Sequence, residues 1–320
     1  MADFENTTPE TRLDGFNVYR TTYKTVGTHH IEAGILIPKN LPPGRKYPLV
    51  VKFHGGGLIV GDCLYTPWIA SFFIPFLTRN AAITILPNYR LTPEARGFDI
   101  LSDLSTFYTW LLHDRKLDSF LAANHPHQPI DIDYTRILVT GDSAGGYMAL
   151  QSAFTLAKDT FKVVLAQYPM TDYLRRTPEE RPFGEAPPSR EWLDAYLAKI
   201  KPDDIISSSD PSTDEDRRGL SAALASYGRF TEFFGVSKEL WPITAVDGVE
   251  SLPPITIFHA KQDSLVPFGD SEAFAEKARE KGEVRLVARD GDHGFDIELK
   301  ESEEGWLRDE LEWVEGKWLG

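Results

Sequence analysis

Apolar positions along the chain follow two rhythms. Short runs rich in β-branched residues, Leu49-Val50-Val51-Lys52-Phe53, Ile83-Thr84-Ile85-Leu86 and Ile137-Leu138-Val139-Thr140, predict strands. Phe161–Tyr168, Ile255–His259 and Val284–Ala288 predict three more, and Gly27-Thr28 divides two others, Phe16–Lys24 and Ile31–Pro38. Between the strands the period lengthens. Positions 100, 101, 104, 107, 108, 111 and 112 are apolar, which predicts a helix over Ile100–His113. Tyr147–Leu156 and Gly269–Lys281 are further helical stretches, and Trp306, Leu307, Leu311, Val314 and Trp318 share one face of a closing helix as core packing. Strands alternating with helices predict an α/β fold, with a mostly parallel sheet covered on both faces.

The rhythm breaks between Thr171 and Pro242. Proline and charge clusters at Arg175–Pro188 and Ser207–Arg218 surround short helical pieces, one carrying Trp192, Leu193, Tyr196 and Leu197. So long an excursion between two strands reads as a lid. The expected division is a core of residues 31–171 and 243–320, a cap of residues 172–242, and an N-terminal segment, 1–30, that joins the cap or stands apart. Phe183, Trp192 and Tyr227 are aromatic residues that would line the cap pocket or pack inside the cap.

Composition narrows the functional classes. A chain of 320 residues with 42% hydrophobic content suits one large domain with an insertion. The 48 acidic against 34 basic residues give a net charge of −14, which argues against a nucleic-acid partner and a basic lipid-docking patch. The longest apolar stretch, Trp68–Leu77, is half a membrane span with a proline inside, and reads as buried helix. The opening residues, MADFENTTPETR, lack the apolar core of a secretory signal, so the expected location is cytoplasmic, without membrane insertion. Cys63 is the sole cysteine, which excludes an intrachain disulfide and a cysteine-based metal cluster.

Candidate chemistry centres on Gly141-Asp142-Ser143-Ala144-Gly145, between a buried strand and a helix. A serine among small residues in that context fits a nucleophile elbow, with the hydroxyl raised above the sheet edge at a helix N-terminus. His54-Gly55-Gly56-Gly57 follows an earlier strand, and its side-chain-free peptides would bring N–H groups close to a substrate oxygen. Gly55, Gly56 and Ala144 are the expected oxyanion donors, with His54 orienting the loop. His293, in the turn after Val284–Ala288, is the expected base, and His259 at a strand end is its rival. Asp263, in the loop after Ile255–His259, is the expected orienting acid. The order Ser143, Asp263, His293 is that of Ser-Asp-His hydrolases.

Together with Asn88-Tyr89-Arg90-Leu91-Thr92-Pro93-Glu94 and His293-Gly294-Phe295, these motifs resemble the hormone-sensitive-lipase-like carboxylesterase branch of the α/β-hydrolases over roughly residues 30–300. The resemblance implies an α/β-hydrolase fold with an eight-stranded twisted sheet, a cap, no cofactor and no metal. It also implies a carboxylesterase or deacetylase acting on a small or medium acyl ester, with the character of a fungal enzyme of secondary metabolism. Asn88 departs from the family, which more often has Asp there. A non-hydrolytic dehydratase, cyclase or acyl-transfer enzyme is the alternative on this scaffold. A receptor role is disfavoured, because receptors that resemble this family lack the catalytic histidine. Oligomeric state is open.

Overall fold

The computed structural model describes residues 4–172, 174, 184–201 and 203–320. Eight strands, β1 (Phe16–Val26), β2 (His29–Pro38), β3 (Lys46–Phe53), β4 (Ile83–Pro87), β5 (Asp131–Asp142), β6 (Val163–Gln167), β7 (Ile255–Ala260) and β8 (Val284–Arg289), form one sheet in the order β1-β2-β4-β3-β5-β6-β7-β8. β1 and β2 pair antiparallel with each other, as do β2 and β4, whereas every pairing from β4 through β3 to β8 is parallel. Residues Phe16–Val26 of the N-terminal segment therefore belong to the sheet, as β1. Arg12 ties down the residues before it, donating from its buried guanidinium to the Ile69 carbonyl at 2.6 Å and to Ser71 at 2.9 Å.

The described residues also form ten α-helices: α1 (Phe73–Arg79), α2 (Gly97–Tyr108), α3 (Lys116–Asn124), α4 (Ala144–Thr155), α5 (Arg190–Leu197), α6 (Glu215–Ser226), α7 (Phe230–Phe234), α8 (Pro242–Ala245), α9 (Phe268–Ala278) and α10 (Gly305–Leu319). Successive strand side chains point to opposite faces, so Leu49, Val51 and Phe53 join a core with α2, α4 and α9, while Val50 and Leu138 join a second core with α1 and α10. Double coverage explains the unbroken apolar strands. Within the run Trp68–Leu77 the α-helix starts only at Phe73, because Trp68 closes a separate 3-10 turn, Thr66–Trp68, and Ile69 is extended. The helix expected over 100–113 begins at Gly97 and ends in a wider π turn, Thr109–His113.

The excursion after β6 is tied to the core. Gly61 and Ser209 exchange backbone hydrogen bonds at 2.9 Å. Arg217 of α6, buried, donates to Ile59 O at 2.7 Å, to Thr92 O at 2.8 Å and to both carboxylate oxygens of Glu94 at 2.9 and 3.1 Å. A bidentate guanidinium–carboxylate pair has one favourable orientation, so α6 is held over the loop that follows β3. Phe183 and most of the Arg175–Pro188 cluster lie outside the described residues. Trp192 packs against the main core and Tyr227 donates to the Pro188 carbonyl at 2.7 Å, so these two aromatics brace the excursion internally.

Candidate active site

Parallel strands put all their carboxyl ends on one edge of the sheet, where the loops after β3, β5, β6, β7 and β8 meet. His54–Gly57, Ser143, Tyr168, Asp263 and His293 occupy those loops in turn. A cavity of about 610 Å³ opens there, with Gly56, Gly57, Trp68, Ser143, Tyr168 and His293 in its wall. Gly219, Ser221 and Ala222 of α6 form part of the opposite wall. Gly55 and Ala144 lie outside the cavity wall, in the backbone that supports it, and Asp263 sits behind His293.

Ser143 has φ 55° and ψ −115°, a conformation that L-residues rarely adopt. The surrounding glycines make it possible. A methyl group on Gly145 would lie 2.2 Å from the Phe53 carbonyl, and one on Gly141 would lie 2.3 Å from Gly145. The Ser143 amide is held by Gln167 O at 2.8 Å. Ala144 opens α4, so its N–H has no carbonyl one turn earlier in the helix.

The glycine loop is equally constrained. Gly56 has φ 96°, and any side chain there would strike the Val60 carbonyl. His54 stacks on Tyr89, ring centroids 4.4 Å apart, and the Tyr89 hydroxyl donates to His54 O at 2.7 Å. Burial pushes the His54 pKa down, which suits a structural ring. The Asn88 departure has a local cause. Its Oδ1 accepts from Cys63 N at 2.7 Å while its Nδ2 donates to Asp62 Oδ2 at 3.1 Å. An aspartate at 88 would set a second carboxylate against Asp62.

His293 Nδ1 donates to Asp263 Oδ2 at 2.8 Å, leaving Nε2 as the basic nitrogen of the neutral ring. His259 touches the same carboxylate oxygen at 3.2 Å, yet it is fully buried, between Ser271 Oγ at 2.8 Å and Val266 O at 2.9 Å. Because a carbonyl only accepts, His259 Nε2 must carry a proton. The rival histidine is thus a fixed donor that braces Asp263 from behind. Burial alone would raise the Asp263 pKa, but hydrogen bonds from His259, His293 and the Val266 amide hold it well below the usual carboxylate range.

Two groups escaped sequence reasoning. Tyr168 lies edge-on to His293, ring centroids 4.6 Å apart, and its backbone φ is 37°. Burial and the nearby Asp296 and Asp142 carboxylates push its phenol pKa well up, so it stays protonated. Its position directly after β6, on the functional edge, was the available signal. Asp296, fully buried, is pushed up to about 6 by burial, against hydrogen bonds from Gln167 and Tyr168. Its Oδ1 has no hydrogen-bond partner among the described residues, which leaves a place for the proton.

A folded-state pKa above the unfolded value means stability present below about pH 4 and lost as pH rises through about 6. Asp296→Asn removes that dependence. The variant should gain on wild type by about 3 kcal/mol between pH 4 and pH 7.5, measured by urea unfolding at both values. Parallel stability profiles would refute an Asp296 that ionises in this interval.

A family model described as the alpha/beta hydrolase fold matches residues 50–297. The chain is 31% identical over 310 residues to "Probable carboxylesterase M8" from Phoma sp. (strain ATCC 20986 / MF5453), covering 92% of this chain and 94% of that protein. It is 26% identical to "Non-reducing polyketide synthase atr1" of Stereocaulon alpinum over 93% of this chain, a match that spans 13% of the synthase. Among solved structures, Thermogutta terrifontis esterase 2 phosphonylated by sarin superposes with a TM-score of 0.57 at 20% identity, over 95% of this chain and 94% of that one. Among the described residues no helix is long and apolar enough to cross a membrane.

Proposed function

Because this chain belongs to the α/β-hydrolase-fold family, we propose that it hydrolyses a small or medium acyl ester through an acyl-enzyme on Ser143. The observation that carries this reading is the Asp263–His293 pair, bonded at 2.8 Å, whose imidazole shares a cavity wall with the strained Ser143. The likeness to a carboxylesterase over nearly the full length of both chains agrees with it.

His293 Nε2 takes the Ser143 hydroxyl proton as Oγ attacks the ester carbonyl, and Asp263 stabilises the resulting imidazolium. N–H groups of Gly55, Gly56 and Ala144 bond the oxyanion of the tetrahedral intermediate. Collapse expels the alcohol, protonated by His293. Water then attacks the acyl-enzyme by the same route, releasing the acid and restoring Ser143. No step calls for a cofactor or metal. The substrate is a small molecule, and the cavity of about 610 Å³ fits an acyl group of short or medium length. Residues 172–242 act as its cap.

An acyl-transfer or cyclising enzyme of secondary metabolism is the second reading, favoured by the match to one segment of a polyketide synthase. A panel of p-nitrophenyl esters from acetate to palmitate separates the two. Hydrolysis should peak at short or medium chains and vanish at palmitate, and a fluorophosphonate should add once, at Ser143, with proportional loss of activity. Turnover that survives complete labelling, or no adduct on Ser143, would overturn the hydrolytic reading.

A further inference from the structure

Behind the glycine loop lies an ion pair that the triad chemistry leaves unused. Lys52 Nζ is 2.6 Å from Asp142 Oδ1, and the two side chains are only 5% and 7% exposed. β3 and β5 run in register there, with Lys52 beside Thr140 and Phe53 beside Gly141. Lys52 therefore belongs to the strand that delivers Gly55 and Gly56, and Asp142 is the residue before Ser143.

The Asp142 carboxylate is packed against the loop. A methyl group built on Gly55 would lie 2.5 Å from Asp142 Oδ2, and Asp142 also lines the cavity. A fixed negative charge in that place opposes the very species the loop has to stabilise. Charges a few ångströms apart in surroundings that exclude water repel strongly. A buried lysine, in turn, is costly unless paired. Both facts have one explanation if the ammonium cancels the carboxylate beside the site of oxyanion formation.

Resting on the Ser143 reading above, we propose that Lys52 is a positioning residue that neutralises Asp142, so that the oxyanion hole presents net positive potential when the tetrahedral intermediate forms. Lys52 touches no substrate. It acts through Asp142, and its effect falls on the anionic intermediate more than on the neutral ester. Of the other buried aspartates at this edge, Asp263 is bound to its two histidines and Asp296 to Gln167, while Glu185 and Glu215 enter the cavity wall from the excursion after β6. Asp142 is the one whose counter-charge comes from the oxyanion strand.

The test compares a trifluoromethyl ketone, which forms an oxyanion on Ser143, with its uncharged alcohol analogue, both measured per serine titrated by fluorophosphonate. Lys52→Met should weaken ketone binding by ~10- to 100-fold and leave the alcohol within about threefold. Asp142→Asn keeps an isosteric acceptor for Lys52 but removes the negative charge, so ketone affinity should equal or exceed wild type. Lys52→Met/Asp142→Asn, which replaces the buried pair by neutral groups, should return to within about threefold of wild type. A merely structural clamp predicts losses in both single variants and no recovery in the double. That pattern would overturn the proposal. Should Lys52→Met fail to fold, a ketone affinity of Asp142→Asn below wild type would overturn it equally. Failure of the Ser143 reading shows separately, as ketone affinity per protein chain unchanged by Ser143→Ala.

Discussion

Ser143→Ala should lower kcat on a short acyl ester by on the order of 10⁵-fold or more, while the protein folds as before. The size of the loss follows from the proposed covalent catalysis: without the hydroxyl no acyl-enzyme can form, and water must attack the ester directly. On the proposed mechanism, what survives is the contribution of positioning and of the N–H groups at Gly55, Gly56 and Ala144. Stability should change by less than about 1 kcal/mol, because alanine meets the same backbone strain at φ 55° and forfeits no structural bond of the backbone. Single-turnover rates and circular dichroism would check both parts. Retention of most activity on a natural substrate, beside weak hydrolysis of model esters, would favour the cyclising or acyl-transfer reading.

Asp263→Asn should cost on the order of 10⁴-fold in kcat, with KM little changed. The direction is dictated by hydrogen-bond polarity. Asp263 Oδ1 accepts from the amides of Leu265 and Val266 at 2.9 and 2.6 Å, which would fix the oxygen of an asparagine on that side. The new NH₂ group would then face His293 Nδ1 and His259 Nε2, two N–H donors in the wild type. His259 cannot yield, because the Val266 carbonyl requires its proton. His293 must then accept at Nδ1 and carry its proton at Nε2, where it can no longer take one from Ser143. Nuclear magnetic resonance of the imidazole protons would report the tautomer, and pre-steady-state kinetics the rate of acylation. Wild-type turnover in this variant would remove Asp263 from the mechanism.

Much of this architecture was legible in the chain because its causes are local. Buried parallel strands need apolar residues on both faces, so β3, β4, β5 and β7 stand out as short β-branched runs. The turns at Gly55–Gly57 and Gly141–Gly145 need residues without side chains, since Cβ atoms at Gly56 and Gly145 would overlap backbone oxygens. Such requirements leave marks on adjacent residues, and the family resemblance rests on those marks. The order of Ser143, Asp263 and His293, each after its own strand, was readable for the same reason.

Relations between residues far apart in the chain were decided by tertiary structure alone. The sequence could rank His293 above His259, but that His259 is fully buried and fixed between Ser271 and Val266 is decided by the fold alone. Lys52, inside an apolar strand, meets Asp142 only because β5 runs beside β3 and brings together residues 90 apart in the chain. Tyr168 and Asp296 acquire their displaced pKa values only from the packing of loops after β6 and β8. Arg217 likewise meets Glu94 across 123 residues to hold α6 over the cavity. Sequence pattern reports what a residue's neighbours along the chain require, whereas charge pairing, desolvation and the shape of the cavity arise from neighbours that only the folded chain brings together.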